Sequence, residues 1–203
     1  MKIIYIMGKS ACGKDTIFKR LKEELDLKSY ILYTTRPMRE GEKDGVDYYF
    51  ISDEEMKEYI EGKREERVLE YRQYNVVDGI WTYATIYDDQ FKTKDDLITI
   101  GTLESYVNLK KFFDKRGRED LIPVYIEVPN DIRRERAIER ERKQKVPRFA
   151  EMERRFKADE LDFTEEKIEK AGIRRNNRFI NLNLDETVNK IKEFVLEEEI
   201  TID

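Results

Sequence analysis

Apolar residues gather at the start of the chain, where Ile3, Ile4, Tyr5, Ile6 and Met7 follow one another without a polar break. Such an unbroken β-branched and aromatic run predicts a buried strand over 2–7. From Asp15 the period changes: Ile17, Phe18, Leu21 and Leu25 recur at helical spacing and predict a helix over 15–25 with one apolar face. The two periods then alternate. Short apolar runs predict strands over 30–34, 97–101, 122–128 and 178–182, and helical spacing predicts helices over 53–61, 103–115, 130–144, 148–170 and 185–198. Strands separated by helices imply a three-layer α/β fold, a parallel central sheet between two layers of helices. The stretch 33–86 breaks this rhythm, because its pieces YYFI, RVLEYRQYNVV and WTYATI are short and β-like. It predicts a small mixed α+β insertion.

Charge modifies this picture. Charged residues fill 42% of the 203 positions, yet the net charge is only −5. Mixed signs at that density describe solvated helices rather than a disordered tail. The acidic balance argues against general nucleic-acid binding. One block runs the other way: Arg133 to Lys157 holds eleven basic residues against five acidic ones. No apolar stretch approaches the ~20 residues of a membrane span. The opening MKIIYIMG is too short for a signal peptide. A lone Cys12 excludes an internal disulfide framework and fits a reducing cytoplasm. Histidine is absent, so chemistry must rest on Lys, Arg, carboxylates and bound ions.

Directly behind the first strand stands GKSACGKDT, residues 8–16, with the G-x-x-x-x-G-K spacing of a phosphate loop. Gly8 and Gly13 allow a backbone path that a Cβ would block. Successive amides through Ser10, Ala11, Cys12 and Gly13, with the helix N-terminus, then face an anion. Lys14 adds a charge for the β- and γ-phosphates of ATP. Ala11 stands where many such loops carry a third glycine. Asp15 replaces the usual Ser or Thr and has two readings: an acid favoured by the helix dipole, or a hard oxygen ligand for Mg2+. The Thr16 hydroxyl is a second metal candidate.

The most informative stretch is TTRPMREGEKDGVDYYF, residues 34–50. Arg36 and Arg39 lie three apart with Pro37 stiffening the turn, so two guanidiniums can clamp one phosphate. This segment resembles the guanylate kinase family. The family signature T-T-R-x-x-R-x-x-E-x-x-G-x-x-Y-x-F is matched by Thr34, Thr35, Arg36, Arg39, Glu42, Gly45, Tyr48 and Phe50. The resemblance implies transfer of phosphate from ATP-Mg to GMP. It implies that the segment opening at Thr34 binds GMP, with Arg36, Arg39 and Tyr48 on the acceptor phosphate. Glu70 in VLEYRQY would meet the guanine amino group, Tyr83 in TYAT the phosphate, and Thr85 the base. In the basic block it implies a lid whose Arg136, Arg140 and Arg155 close over ATP, and Asn181 in FINLN lies near adenine. The implied division is a core of 1–32, 87–129 and 156–203, an acceptor subdomain 33–86 and a lid 130–155. Small-molecule nucleotides are then the partners of a cytoplasmic monomer or homodimer.

Three positions depart from the family pattern. Its serine on the guanine carbonyl is Leu32 here, its D-I-D segment is Thr99, Ile100 and Gly101, and Ala84 interrupts its Tyr-Gly-Ser/Thr motif. Extra residues also fall at 75–80 and 142–150. A base pocket stripped of a polar side chain loses about 1–3 kcal/mol, so the acceptor is less narrowly implied than the transfer. Asp15 can restore negative charge near the metal, where Thr99 replaces an acid. Two other readings stay open. Kinases of phosphorylated ribose derivatives resemble this chain in their Gly-Lys-Asp loop, and non-catalytic scaffold modules share the family's fold. An intact Lys14 with both glycines argues against the scaffold.

Overall fold

The computed structural model describes residues 2–39, 41–62, 64, 67–76, 79–117 and 121–200. Its strands are β1 (Ile3–Met7), β2 (Lys28–Ser29), β3 (Tyr33–Thr34), β4 (Tyr49–Phe50), β5 (Val68–Val76), β6 (Gly79–Ile86), β7 (Leu97–Ile100), β8 (Leu121–Glu127) and β9 (Arg178–Ile180). The helices are α1 (Lys14–Glu24), α2 (Asp53–Ile60), α3 (Leu103–Asp114), α4 (Asn130–Arg142), α5 (Phe149–Asp162), α6 (Glu165–Lys170) and α7 (Leu184–Ile200).

Strands β2, β7, β1, β8 and β9 lie side by side in that order, all parallel. Residues of β1 alternate between its faces. Ile3, Tyr5 and Met7 pack with Tyr106, Leu109 and Phe113 of α3, while Ile4 and Ile6 pack with Ile17, Leu21, Val188 and Ile191 of α1 and α7. Helices on both faces explain why the run carries no polar position. The α/β expectation holds.

The second sheet has the order β4-β3-β6-β5, with β3 parallel to β4 and antiparallel to β6. On one face α2, opened by a Ser52–Glu55 capping box, packs Met56 onto Ala84 and Ile86. Register across β5 and β6 sets Glu70 opposite Thr85 and Arg72 opposite Tyr83. These four side chains therefore point to the other face. Arg72 Nη1 donates to Thr102 Oγ1 at 3.1 Å, which turns that face toward the second residue beyond β7.

Two expected elements are corrected. The strand expected over 30–34 is reduced to β3 at its end, in the second sheet, while β2 of the first sheet forms just before it at Lys28–Ser29. Tyr30 forces the crossing: its buried hydroxyl donates to Ile86 O at 2.8 Å and accepts from Ile86 N at 3.0 Å. The helix expected over 148–170 breaks into α5 and α6, because Thr164 caps α6 and Phe163 turns inward to stack on Tyr125. Within the extra stretch 75–80, residues 77 and 78 lie outside the described residues. No helix among the described residues is long and apolar enough to cross a membrane.

Candidate nucleotide and acceptor site

Beyond β1 the chain turns through Gly8 to Gly13 into α1. A Cβ on Gly8 would collide with the Ile126 carbonyl of β8. Gly13 caps α1 at φ 91°, and Ala11 adopts φ 60°, where a side chain costs about 1–2 kcal/mol. Asn181, 4% exposed, braces this path by donating Nδ2 to Cys12 O at 2.9 Å. Arg136 in turn donates to Asn181 O at 3.1 Å. Both residues, expected near ATP, thus buttress the loop itself. Lys14 Nζ folds back on Gly8 O at 2.7 Å and Lys9 O at 3.0 Å. Burial lifts the Cys12 thiol above its ordinary pKa despite the nearby Lys14, so Cys12 acts as a neutral filler. Asp15 and Thr16 are exposed in the first turn of α1. The described residues hold no cluster of three metal-binding side chains. A Mg2+ carried on substrate phosphates needs only one or two protein oxygens, and this carboxylate and hydroxyl fit that demand.

The basic block divides in two. Arg140 and Arg155 are half exposed, and Arg155 bonds Glu151 one turn earlier on its own helix. Arg133, not singled out from the sequence, is 1% exposed. It donates to Ser10 O at 2.9 Å, Asn130 Oδ1 at 2.7 Å and Asp159 Oδ2 at 3.1 Å, and its guanidinium carbon stands 4.8 Å from the Phe156 ring centre. Asp159 also accepts from Ser10 N at 2.7 Å and Ser10 Oγ at 3.3 Å. The loop 8–13 is therefore tied to α4 and α5 by one buried ion pair. Its only sequence signal is spacing: Arg133, Ala137 and Glu141 recur every four residues on the buried side of α4.

On the second sheet, Arg36 is 3% exposed and grips Glu42 with Nη1 to Oε2 at 3.0 Å and Nη2 to Oε1 at 2.8 Å. Burial opposes its charge, yet the Glu42 hydrogen bond helps hold the guanidinium above its ordinary pKa. Arg36 sits 5.3 Å from the Tyr48 ring centre, and the Tyr48 and Tyr83 rings meet edge to face at 5.8 Å. Burial, then Tyr83, raises the Tyr48 pKa, so its hydroxyl stays a donor. Arg39 reaches this group through its amide, which donates to Glu42 Oε2 at 2.7 Å, while its side chain is exposed. Thr34 is fully buried; its Oγ1 donates to Thr82 O and accepts from Arg36 N, so it positions Arg36. Thr85 Oγ1 donates to Glu70 Oε1 at 2.8 Å, both residues buried. Arg36, Tyr48 and Tyr83 thus come together at one end, and Glu70 and Thr85 at the other. Arg72 stands between them.

The family model described as Guanylate kinase matches residues 1–198. The chain belongs to the guanylate kinase family. A guanylate kinase of Corynebacterium diphtheriae is 46% identical over 61 residues, 30% of this chain and 32% of that relative. One of Enterococcus faecalis is 46% identical over 74 residues, 36% of this chain and 35% of that relative. These matches thus span about a third of the relatives' own length. A guanylate kinase of Caldanaerobacter subterraneus subsp. tengcongensis is 29% identical over 215 residues, 99% of this chain and 89% of the relative. The crystal structure of guanylate kinase from Anaplasma phagocytophilum shares the fold with a TM-score of 0.63 at 20% identity, over 99% of this chain and 88% of its own.

Among the positions that differ from the guanylate kinase pattern, Leu32 packs against the cluster containing Tyr5 and Phe91 and offers no polar group. Gly101 has a clear steric cause: a Cβ there would fall on the Tyr5 hydroxyl. An acid at 101 and a tyrosine at 5 therefore exclude one another. Burial holds the Tyr5 pKa well above its ordinary value, and Ser105, Glu70 and Arg72 surround its hydroxyl. A neutral O–H thus fills the space of a carboxylate. Gly101→Ala is expected to cost about 1–3 kcal/mol by overpacking, measured by urea or thermal unfolding. In a Tyr5→Leu background the same substitution should cost less than half as much, since the obstructing hydroxyl is gone.

Proposed function

We propose that this protein transfers the γ-phosphoryl group of ATP to GMP, forming ADP and GDP. One observation supports the reading: the loop after β1 and the face bearing Arg36, the two groups expected to bind phosphates, lie along one edge of the parallel sheet. The phosphate loop follows β1, and the face bearing Arg36, Arg72 and Tyr83 docks on Thr102 after the neighbouring β7. Ligands of open α/β sheets bind at that carboxyl edge. Residues 33–86 would act as the acceptor subdomain and 130–155 as the lid, on a core of 1–32, 87–129 and 156–203. A lone buried Cys12 supports work in a reducing compartment such as the cytoplasm.

The acceptor is already an anion, so transfer needs no general base and the absence of histidine is no obstacle. Lys14 exchanges its loop carbonyls for the β- and γ-phosphates. Arg36, Tyr48 and Tyr83 hold the acceptor phosphate, which competes with Glu42 for the guanidinium, while Arg39 swings in from solvent. Arg140 and Arg155, held by neighbours on their own helices, are free to close over the transferred group and exclude water. Asp15 and Thr16 would hold Mg2+, which neutralises charge on the phosphates when bound.

A panel assay tests the reading: ADP release from ATP-Mg with GMP, dGMP, AMP, UMP, CMP and ribose bisphosphates. Preference for GMP is expected. Turnover confined to ribose bisphosphates would favour the second reading, which Leu32, Thr99, Gly101 and the Gly-Lys-Asp loop support; silence with every acceptor would leave a scaffold. Arg36→Ala should raise the acceptor KM roughly 30- to 100-fold with the ATP KM unchanged. Asp15→Ala should raise the Mg2+ concentration for half-maximal rate by roughly threefold or more. An unaltered Mg2+ profile would return Asp15 to the helix dipole alone.

A further inference from the structure

Arg72 stands at the centre of the acceptor face, opposite Tyr83 and two residues from Glu70, yet phosphoryl transfer itself does not call for it. Its Nε lies 3.3 Å from Glu70 Oε2, within ion-pair range but misaligned, and both atoms are buried without a hydrogen-bond partner. The Glu70 side chain is fully buried, and its other oxygen is already taken by Thr85. A buried acceptor and a buried donor left side by side are costly unless a ligand completes them.

The charges decide what kind of ligand. Burial opposes the Arg72 charge, and Glu70, with Tyr74, Tyr5 and Glu104 adding to it, holds the guanidinium above its ordinary pKa. The pair is close to neutral as a unit. A second phosphate placed here would meet a Glu70 carboxylate that is fully buried and bonded to Thr85, and that, unlike the part-exposed Glu42 beside Arg36, has no solvent to turn to, so it would be repelled. An uncharged edge that offers one acceptor beside N–H donors matches the pair. The lactam edge of a purine has that pattern, and a guanidinium is a natural partner for its carbonyl.

We propose that Arg72 determines base specificity by donating to the ring carbonyl of the acceptor nucleotide, beside the base contact already expected of Glu70. Arg72 thereby replaces the contact that Leu32 cannot make. This rests on the GMP reading above and deepens it, because the buried pair favours a base over the second phosphate of a ribose bisphosphate.

The test pairs a ligand change with a protein change. GMP is compared by kcat/KM with 6-thioguanosine monophosphate, whose sulfur accepts weakly while its N–H groups remain. The native chain should prefer GMP by roughly tenfold or more. In Arg72→Met the preference should fall to roughly twofold or less, mostly through a higher KM for GMP. Arg72→Lys keeps the ion pair with Glu70, and so the fold, but lacks the planar second donor; its preference should also drop. If Arg72→Met fails to fold by thermal melting, the lysine variant carries the comparison alone. A native preference retained in the folded variants, with GMP still phosphorylated, overturns the role of Arg72 and leaves the GMP reading standing. A native chain that ignores both nucleotides and uses a ribose bisphosphate overturns both.

Discussion

Lys14→Ala is expected to lower kcat for ATP-dependent transfer by about 1,000-fold or more while the protein stays folded. The other lysine of the loop, Lys9, is engaged by the Glu160 carboxylate at 3.1 Å, which leaves Lys14 as the loop's charge for the phosphates. Lys14 Nζ is held by two carbonyls of its own loop, Gly8 O and Lys9 O, at 2.7 and 3.0 Å. These bonds hold the ammonium within the loop and contribute little to the core. Their loss should therefore move the melting temperature by only a few degrees, since about 1 kcal/mol corresponds to roughly 2–4 °C at this size. Steady-state ADP release and a thermal melt on one preparation provide the check. Native-like turnover in this variant would remove the basis for phosphoryl transfer by this site.

Arg133→Ala should have the largest effect on stability, about 3–5 kcal/mol, or roughly 6–20 °C in melting temperature. The cause is the carboxylate left behind. Asp159 is 8% exposed, and without Arg133 it keeps only the Ser10 amide and hydroxyl as partners. Loss of the Arg133 bond to Ser10 O also frees the loop, so the ATP KM should rise in parallel. Adding Asp159→Asn to Arg133→Ala should recover a good part of the loss, because the stranded charge is then gone. A single variant within about 1 kcal/mol of the parent would show that the pair is solvated rather than structural.

Legibility in the sequence followed the range of the interactions. The strand–loop–helix at 3–24 is readable because glycine tolerance, helix-terminal amides and an adjacent lysine are all local. The Arg36, Glu42 and Tyr48 group is readable for the same reason, its members falling within one short segment. Arg133 was hidden because in a block of eleven basic residues nothing local separates a buried guanidinium from solvated ones. Arg72 was hidden in an ordinary alternating strand. The break between α5 and α6 went unread because Phe163 looks like one more helical apolar position, whereas it leaves the helix to reach Tyr125.

The sequence by itself determined the alternation of elements, the phosphate loop and the acceptor signature, since each depends on spacing within some fifteen residues. Only the tertiary structure decided which charges are buried and which groups exclude each other. Gly101 reads as a lost acid until Tyr5, 96 positions earlier, is seen to occupy its space. Burial and steric exclusion depend on distances between segments remote in the chain, and these exist only once the sheets have formed.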